Sequence, residues 1–222
     1  MSNEKPILFK DDMIRAILEG RQCQTRRLLK FHPVQPGPGY YFDAYNGGPQ
    51  WNWWDKNHRQ HLGQIFKCRY GKPGDHLWVQ EDYGYKIRNV GGTPHEQAAY
   101  RATDPDAVSC YDCNGKEQPL LWQPAETMPR EASRITLEIT NVRAERLQDI
   151  SEEDALAEGV CCTESLGGCP NYWHSCYGEK FATARSAFCD LWQSIYGQDS
   201  WDANPWVWVI EFKRIDQGAK AA

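Results

Sequence analysis

Eight consecutive residues, Gly20-Arg21-Gln22-Cys23-Gln24-Thr25-Arg26-Arg27, set three guanidinium groups, two amides, a hydroxyl and a thiol side by side. Guanidinium forks and amides make directional, bidentate hydrogen bonds, so this run can grip an anion or read the edge of a base. The plainer alternative is a solvated helix C-terminus, where cations offset the helix dipole. Cys23 sits inside the arginine cluster, where positive charge lowers a thiol pKa and makes it reactive. Further along, Glu81 ends a predicted strand beside Asp82 and Tyr83. A carboxylate there can serve as a general base or accept a hydrogen bond from an exocyclic amine. Its alternative role is a salt bridge to an arginine. Arg130 and Arg134, four residues apart, can clamp a phosphate, pair with Glu81, or form a surface ion pair of little energetic weight.

Two other groupings are candidates for chemistry. Trp51, Trp53 and Trp54, with nearby tyrosines, can stack on the bases of a single strand, or fold a small core of their own beneath a long connection. Cys110-x-x-Cys113 has zinc-knuckle spacing, and Cys161, Cys162, Cys169, His174 and Cys176 form a second Cys-rich stretch, so a composite tetrahedral zinc site is one reading. Free thiols are the other. Apart from this zinc, the sequence calls for no cofactor. Cys68 and Cys189 read as packing residues.

The elements that must position these groups follow from periodicity. Asp11 and Asp12 can cap a helix whose apolar stripe is Met13, Ile14, Ile17 and Leu18, and Gly20 ends it at the C′ position. Arg21 to Arg27 then leave the helix as a loop. Pro33, Pro36, Gly37, Pro38 and Gly39 open an irregular insertion over about 31–69. Tyr70 to Asp75 form a turn, and His76 to Glu81 a strand. Residues 86–98 read as a polar loop, Tyr100 to Ala102 as a short strand, and 103–127 as a second insertion. Arg134 to Val142 alternate, with Ile135, Leu137 and Ile139 directed inward. Ser151-Glu152-Glu153-Asp154 resembles a capping box and starts a helix that runs to Gly159. A Cys- and Gly-containing loop over 160–178 precedes a helix from Lys180 to Ile195. Pro205 to Ile215 is a strand apolar on both faces, and a disordered tail follows from about 216. Strands mixed with short helices, without a parallel βαβ rhythm, predict one α+β domain over residues 1–222, a mixed β-barrel with helices packed against it.

Composition narrows the function. With 41% hydrophobic residues the chain can build a core, and its net charge of −5 excludes a general polyanion binder while leaving room for a local arginine pocket. No apolar run approaches the roughly 20 residues of a membrane helix. Met1 to Pro6 lack a signal-peptide pattern, so the reading is a cytoplasmic protein without membrane contact. Its nine cysteines, an odd number, then favour thiols or metal ligands over disulfides.

The motif Gly20-x-Gln22-x-x-Thr25-x-Arg27 resembles the Gly-x-Lys-x-x-Thr-x-Arg signature of ASCH domains, PUA-like β-barrels linked to RNA metabolism. Pro73-Gly74-Asp75-x-Leu77-x-Val79-x-Glu81 resembles their next strand. Gln24-Thr25-Arg26-Arg27, Tyr70 to Asp75, Met128-Pro129-Arg130 with Ala132 to Ile135, and Ser200 to Trp208 are similar to phrases of phage and prophage ASCH-like proteins. The resemblance implies a PUA-like barrel binding a nucleobase, nucleoside, nucleotide or single-stranded RNA through Arg21, Gln22, Arg27, Arg130 and Arg134. Some relatives are acetylcytidine amidohydrolases that look to use a Lys, a Thr and a Glu, which map here onto Gln22, Thr25 and Glu81. A glutamine amide is neither nucleophile nor base. An enzyme would therefore work through Thr25 or Cys23 as nucleophile and Glu81 as base, as a hydrolase of N-acylated nucleosides or a ribonuclease. A third expectation is a phage–host interaction module that docks partners through its aromatic loops.

Overall fold

The computed structural model describes residues 3–29, 40–44, 50–55, 65–90, 93–112, 114–164, 170–174 and 179–215; the expected tail from 216, and Cys113, Cys169 and Cys176, lie outside them. The chain opens with β1 (Glu4–Leu8), α1 (Asp11–Leu18) and β2 (Gln24–Leu28). Helix α1 buries Met13, Ile14, Ala16 and Ile17. Its N-cap is Lys10, which makes no side-chain cap; Asp11 and Asp12 fall in the first turn instead, where the helix dipole favours them. Gly20, at φ +75°, follows the Glu19 C-cap and turns the chain in the left-handed region that glycine tolerates. The segment beyond is a strand, not a loop, from Gln24 onward. Gln24, Thr25 and Arg26 are all buried there, their backbones paired with β14 and the Arg26 guanidinium held by ion pairs.

Where an irregular insertion was expected, β3 (Tyr40–Ala44), β4 (Gln50–Asp55) and β5 (Phe66–Lys67) form an antiparallel meander. Trp51 meets Trp208 at 4.7 Å edge-on, and Phe42 meets Trp206 at 4.9 Å and Trp53 at 5.3 Å. Trp51 and Trp53 are buried, so they extend the core and offer no stacking platform. Next come β6 (His76–Gln80), then β7 (Tyr83–Val90) and β8 (Thr93–Tyr100), a two-stranded hairpin where residues 86–98 read as a loop. The second expected insertion holds a small hairpin, β9 (Val108–Tyr111) with β10 (Glu117–Pro119).

The second half runs β11 (Thr136–Arg146), α2 (Glu152–Ala157), β12 (Cys161–Glu164), β13 (Pro170–Trp173), α3 (Ala184–Tyr196), α4 (Asp199–Asp202) and β14 (Trp206–Ile215). Strands β12 and β13 pair within the expected 160–178 loop. Ser151 Oγ accepts from the Asp154 N–H and Thr183 Oγ1 from the Ser186 N–H, which caps α2 and α3.

The main sheet has the order β1-β6-β11-β14-β2, with β1 parallel to β6 and the other pairs antiparallel. The architecture is a strand-rich, mixed α+β fold. Strand β14 divides the interior. Trp208, Ile210 and Phe212 join Leu77, Leu137, Ile139 and α1 in one cluster, while Val207 and Val209 join Phe188, Leu191 and Trp192 of α3 in the other. Each fully buried aliphatic side chain stabilises the fold by about 1.5–3 kcal/mol relative to exposure. The two edge strands approach one another, since Arg27 Nη2 on β2 donates to the Leu8 carbonyl at the end of β1, 2.6 Å away. Among the described residues, no helix is long and apolar enough to cross a membrane.

Candidate functional site

The arginine-rich strand β2 lies against the end of α2. Gln22 forms an antiparallel bridge with Glu158, and the Cys23 N–H donates to the Ala157 carbonyl at 3.0 Å. Gly159, at φ +95°, permits the close fit. A Cβ there would stand 3.1 Å from Ala16 Cβ and 3.3 Å from Gln22 Cβ. Arg21 Nη1 reaches over to the Gly159 carbonyl, and its Nε pairs with Glu19.

Arg26 is the hub of this junction. Its side chain is completely buried and donates to Glu158 Oε1 at 3.0 Å, to Asp154 Oδ2 at 2.9 Å and to Glu145. Arg143 pairs with Asp154 at 2.8 Å, with Glu145 at 3.1 Å and with Glu211, and reaches Gln24 Oε1. Burial acts to raise the Asp154 carboxyl, but Arg143 and Arg26 outweigh it and hold the group below its ordinary range. Glu158 sits deeper. Burial pushes its carboxyl from 4.5 up to about 7, against the pull of Arg26 and Arg27. Burial, Glu211 and Glu158 raise the Cys23 thiol, the reverse of the activation expected from its arginine neighbours.

Behind Glu158 lies a small chamber of about 20 Å³, lined by Met13, Thr25, Arg26, Arg27, Glu158 and a stripe of α3. That is room for about one water molecule. Thr25 is 0% exposed, and its Oγ1 has no hydrogen-bond partner among the described residues. The same is true of Gln22 Oε1, Gln24 Nε2, Arg26 Nε, Arg27 Nε and Trp192 Nε1. Native proteins leave few buried polar atoms unsatisfied, yet the 22–27 segment alone holds five.

Glu81 is held elsewhere. It is 1% exposed, and Arg134 donates to both its oxygens at 2.9 and 2.8 Å, a bidentate pair. The same guanidinium lies 4.0 Å from the Tyr100 ring centroid, and Tyr100 donates to the Ala132 carbonyl. A carboxylate engaged on both oxygens by one guanidinium is a structural ion pair, not a free base. The salt-bridge alternative therefore describes Glu81 and Arg134. Arg130 pairs with Glu4 at 2.9 Å near the surface, so it does not join the 22–27 cluster either. Of the sequence candidates, the structure brings Arg21, Gln22, Thr25 and Arg27 together.

Cys110 is half-buried on β9, and Cys161 and Cys162 lie on β12. His174 pairs with Asp190 at 2.7 Å. Among the described residues, no three His, Cys, Asp or Glu side chains are grouped to hold a metal ion. Sequence reasoning passed over Glu158, Asp154, Arg26 and Arg143. One signal was available: the Ser151 cap fixes a helix in which Asp154 and Glu158 are four apart, hence on one face.

No family model, no curated protein and no solved structure matches the chain.

Proposed function

We propose that this chain is an ASCH-like, PUA-type domain whose chamber between Thr25 and Glu158 binds an uncharged nucleobase or nucleoside, free or within a single-stranded RNA. The observation that carries the reading is the concentration of buried, unsatisfied polar atoms in the 22–27 segment, around a carboxyl that titrates near neutrality. Those atoms include both acceptors and donors, as the edge of a base requires; a phosphate would call for donors alone. The local charge agrees. Arg26, Arg27 and Arg143 are surrounded by four carboxylates, Glu145, Asp154, Glu158 and Glu211. The arginines are thus engaged by the protein itself, and the expectation that they hold a phosphate gives way to one in which they hold Glu158. A base is larger than this chamber, so the α3 wall must yield as it enters. The Arg27 link between the sheet's edge strands is compatible with a PUA-like curl.

A second reading is favoured by one observation. Glu158, at about 7, has the proton affinity of a general acid–base residue, and it lines the same chamber as the Thr25 hydroxyl. A hydrolase of N-acylated nucleosides would use this pair, with Gln22 in the lysine position orienting the substrate. The test is incubation with cytidine, uridine, N4-acetylcytidine and short single-stranded RNAs, followed by native mass spectrometry and product analysis. Retained ligand lost in E158Q and T25V supports recognition, and product lost in E158Q supports the hydrolase. Neither ligand nor product, or signals unchanged in both variants, refutes the site.

A further inference from the structure

We propose that Trp192 is a specificity-determining residue of this chamber, its indole N–H donating to a carbonyl or ring-nitrogen acceptor of the bound molecule. The proposal rests on the reading of the chamber as a ligand site. Helix α3 covers the chamber with Phe188, Leu191, Trp192, Ile195 and Tyr196, an i, i+3, i+4, i+7, i+8 stripe. Three of these five carry no polar atom. Trp192 is 2% exposed, and its Nε1 is buried with no acceptor among the described residues. Leu or Phe at this position would seal the core and leave no donor unsatisfied. Trp53 and Trp206 also lack acceptors, but they pack against one another and Phe42 in the aromatic seam of the meander. Trp192 instead shares its chamber with the unpartnered Thr25 hydroxyl and the Glu158 carboxyl.

The ring is held in place. Tyr196 packs on it at 4.3 Å between centroids and Phe188 at 6.2 Å, so the indole keeps its place on α3 and moves with the helix when the wall yields. The chemistry of the two walls is complementary. The β2 side offers an acceptor at Thr25 Oγ1, and Glu158 either donates or accepts according to its proton. The α3 side offers a donor. A molecule spanning them presents an N–H next to a C=O or ring nitrogen, the edge of a lactam or of an N-acyl amine. Trp192 thereby selects for the acceptor, and a base edge with an amine in that position is refused.

The experiment compares wild type, W192F, T25V and E158Q by calorimetric titration with uridine, cytidine and N4-acetylcytidine. In parallel, indole-15N-labelled wild-type protein is titrated, with the Trp192 resonance assigned by its absence from W192F. Phenylalanine keeps an aromatic ring beside Phe188 and Tyr196 while removing the donor and part of the indole, so the indole resonance reports the hydrogen bond independently of the lost volume. The expected result is binding of a carbonyl-bearing probe that weakens about tenfold in W192F, the loss of one neutral hydrogen bond, with a displaced Trp192 indole resonance on saturation. Binding that depends on Thr25 and Glu158 but is indifferent to W192F, or an indole resonance that stays in place, overturns the role of Trp192 alone. Failure of all three probes to bind, or binding indifferent to T25V and E158Q, overturns the chamber as a ligand site and this proposal with it.

Discussion

Replacing Glu158 by Gln should flatten the pH dependence of stability between pH 4.5 and 8. The carboxyl titrates at about 7 in the folded protein and at 4.5 when unperturbed. Between those values the native state carries the Glu158 proton and the unfolded state does not, so stability falls as pH rises. The contribution of the protonated group is fully present below about pH 4.5 and is lost as pH passes through 7. A difference of about 2.5 pK units corresponds to about 3 kcal/mol at 1.36 kcal/mol per unit. Glutamine keeps the shape and a hydrogen-bonding oxygen for Arg26, which also retains Glu145 and Asp154. The variant should therefore fold, and it should carry no such proton linkage. Urea unfolding of both proteins at pH 5, 6, 7 and 8 measures this directly. With a slope of about 2 kcal/mol per molar, the wild-type midpoint should drop by roughly 1.5 M relative to the variant across the window. Asp154 and Glu4 are shifted downward, so their contributions, present above the unfolded pKa and lost as pH falls, belong to more acidic solution. Parallel curves for the two proteins would refute the account of Glu158 as a buried, neutral-range carboxyl.

Three other outcomes follow from the geometry. Arg134→Met strands the Glu81 carboxylate in the interior and should cost about 3 kcal/mol; the double variant with E81Q should recover part of that in a thermodynamic cycle, and full additivity would mean the pair is uncoupled. Gly159→Ala places a Cβ at φ +95° against Ala16 and Gln22 and should cost at least 1 kcal/mol in chemical denaturation; unchanged stability would show that the β2–α2 junction is loose. Gln22→Lys sets an ammonium beside Glu158, and the opposite charge should lower the Glu158 titration midpoint below about 7. Carbon-13 carboxyl NMR reads that midpoint, and an unmoved value would place the residue-22 side chain away from Glu158.

The parts of the fold that were legible are those in which burial follows hydrophobicity. Strand β14 announces itself by a run apolar on both faces, the first half of β11 by apolar alternation, and α2 by its Ser151 cap. Hairpin β7–β8 was read as a loop because Lys86, Arg88, His95, Glu96 and Gln97 carry no apolar period. A hairpin that projects from the core has little buried face to record in its sequence. Strand β2 was missed for the opposite reason: Arg26 is buried, but its burial is sustained by three carboxylates brought from β11 and α2. Those partners lie more than a hundred positions away, and only the sheet order brings them together. The same distance hides Glu158, while Glu81, at the end of an obvious strand, is the carboxylate that local periodicity brings forward.

The sheet order has a consequence for how the molecule is made. Strand β2 lies at the edge of the main sheet and pairs only with β14 there. Leu28 leaves the ribosome about 180 residues before Trp206. At translation rates of about 5–20 residues per second, the motif strand waits roughly 10–40 s for its partner. Throughout that interval the ladder edge of β2 has no partner in the main sheet, and a nascent chain stalled before β14 displays an arginine-rich edge that only the later strand pairs.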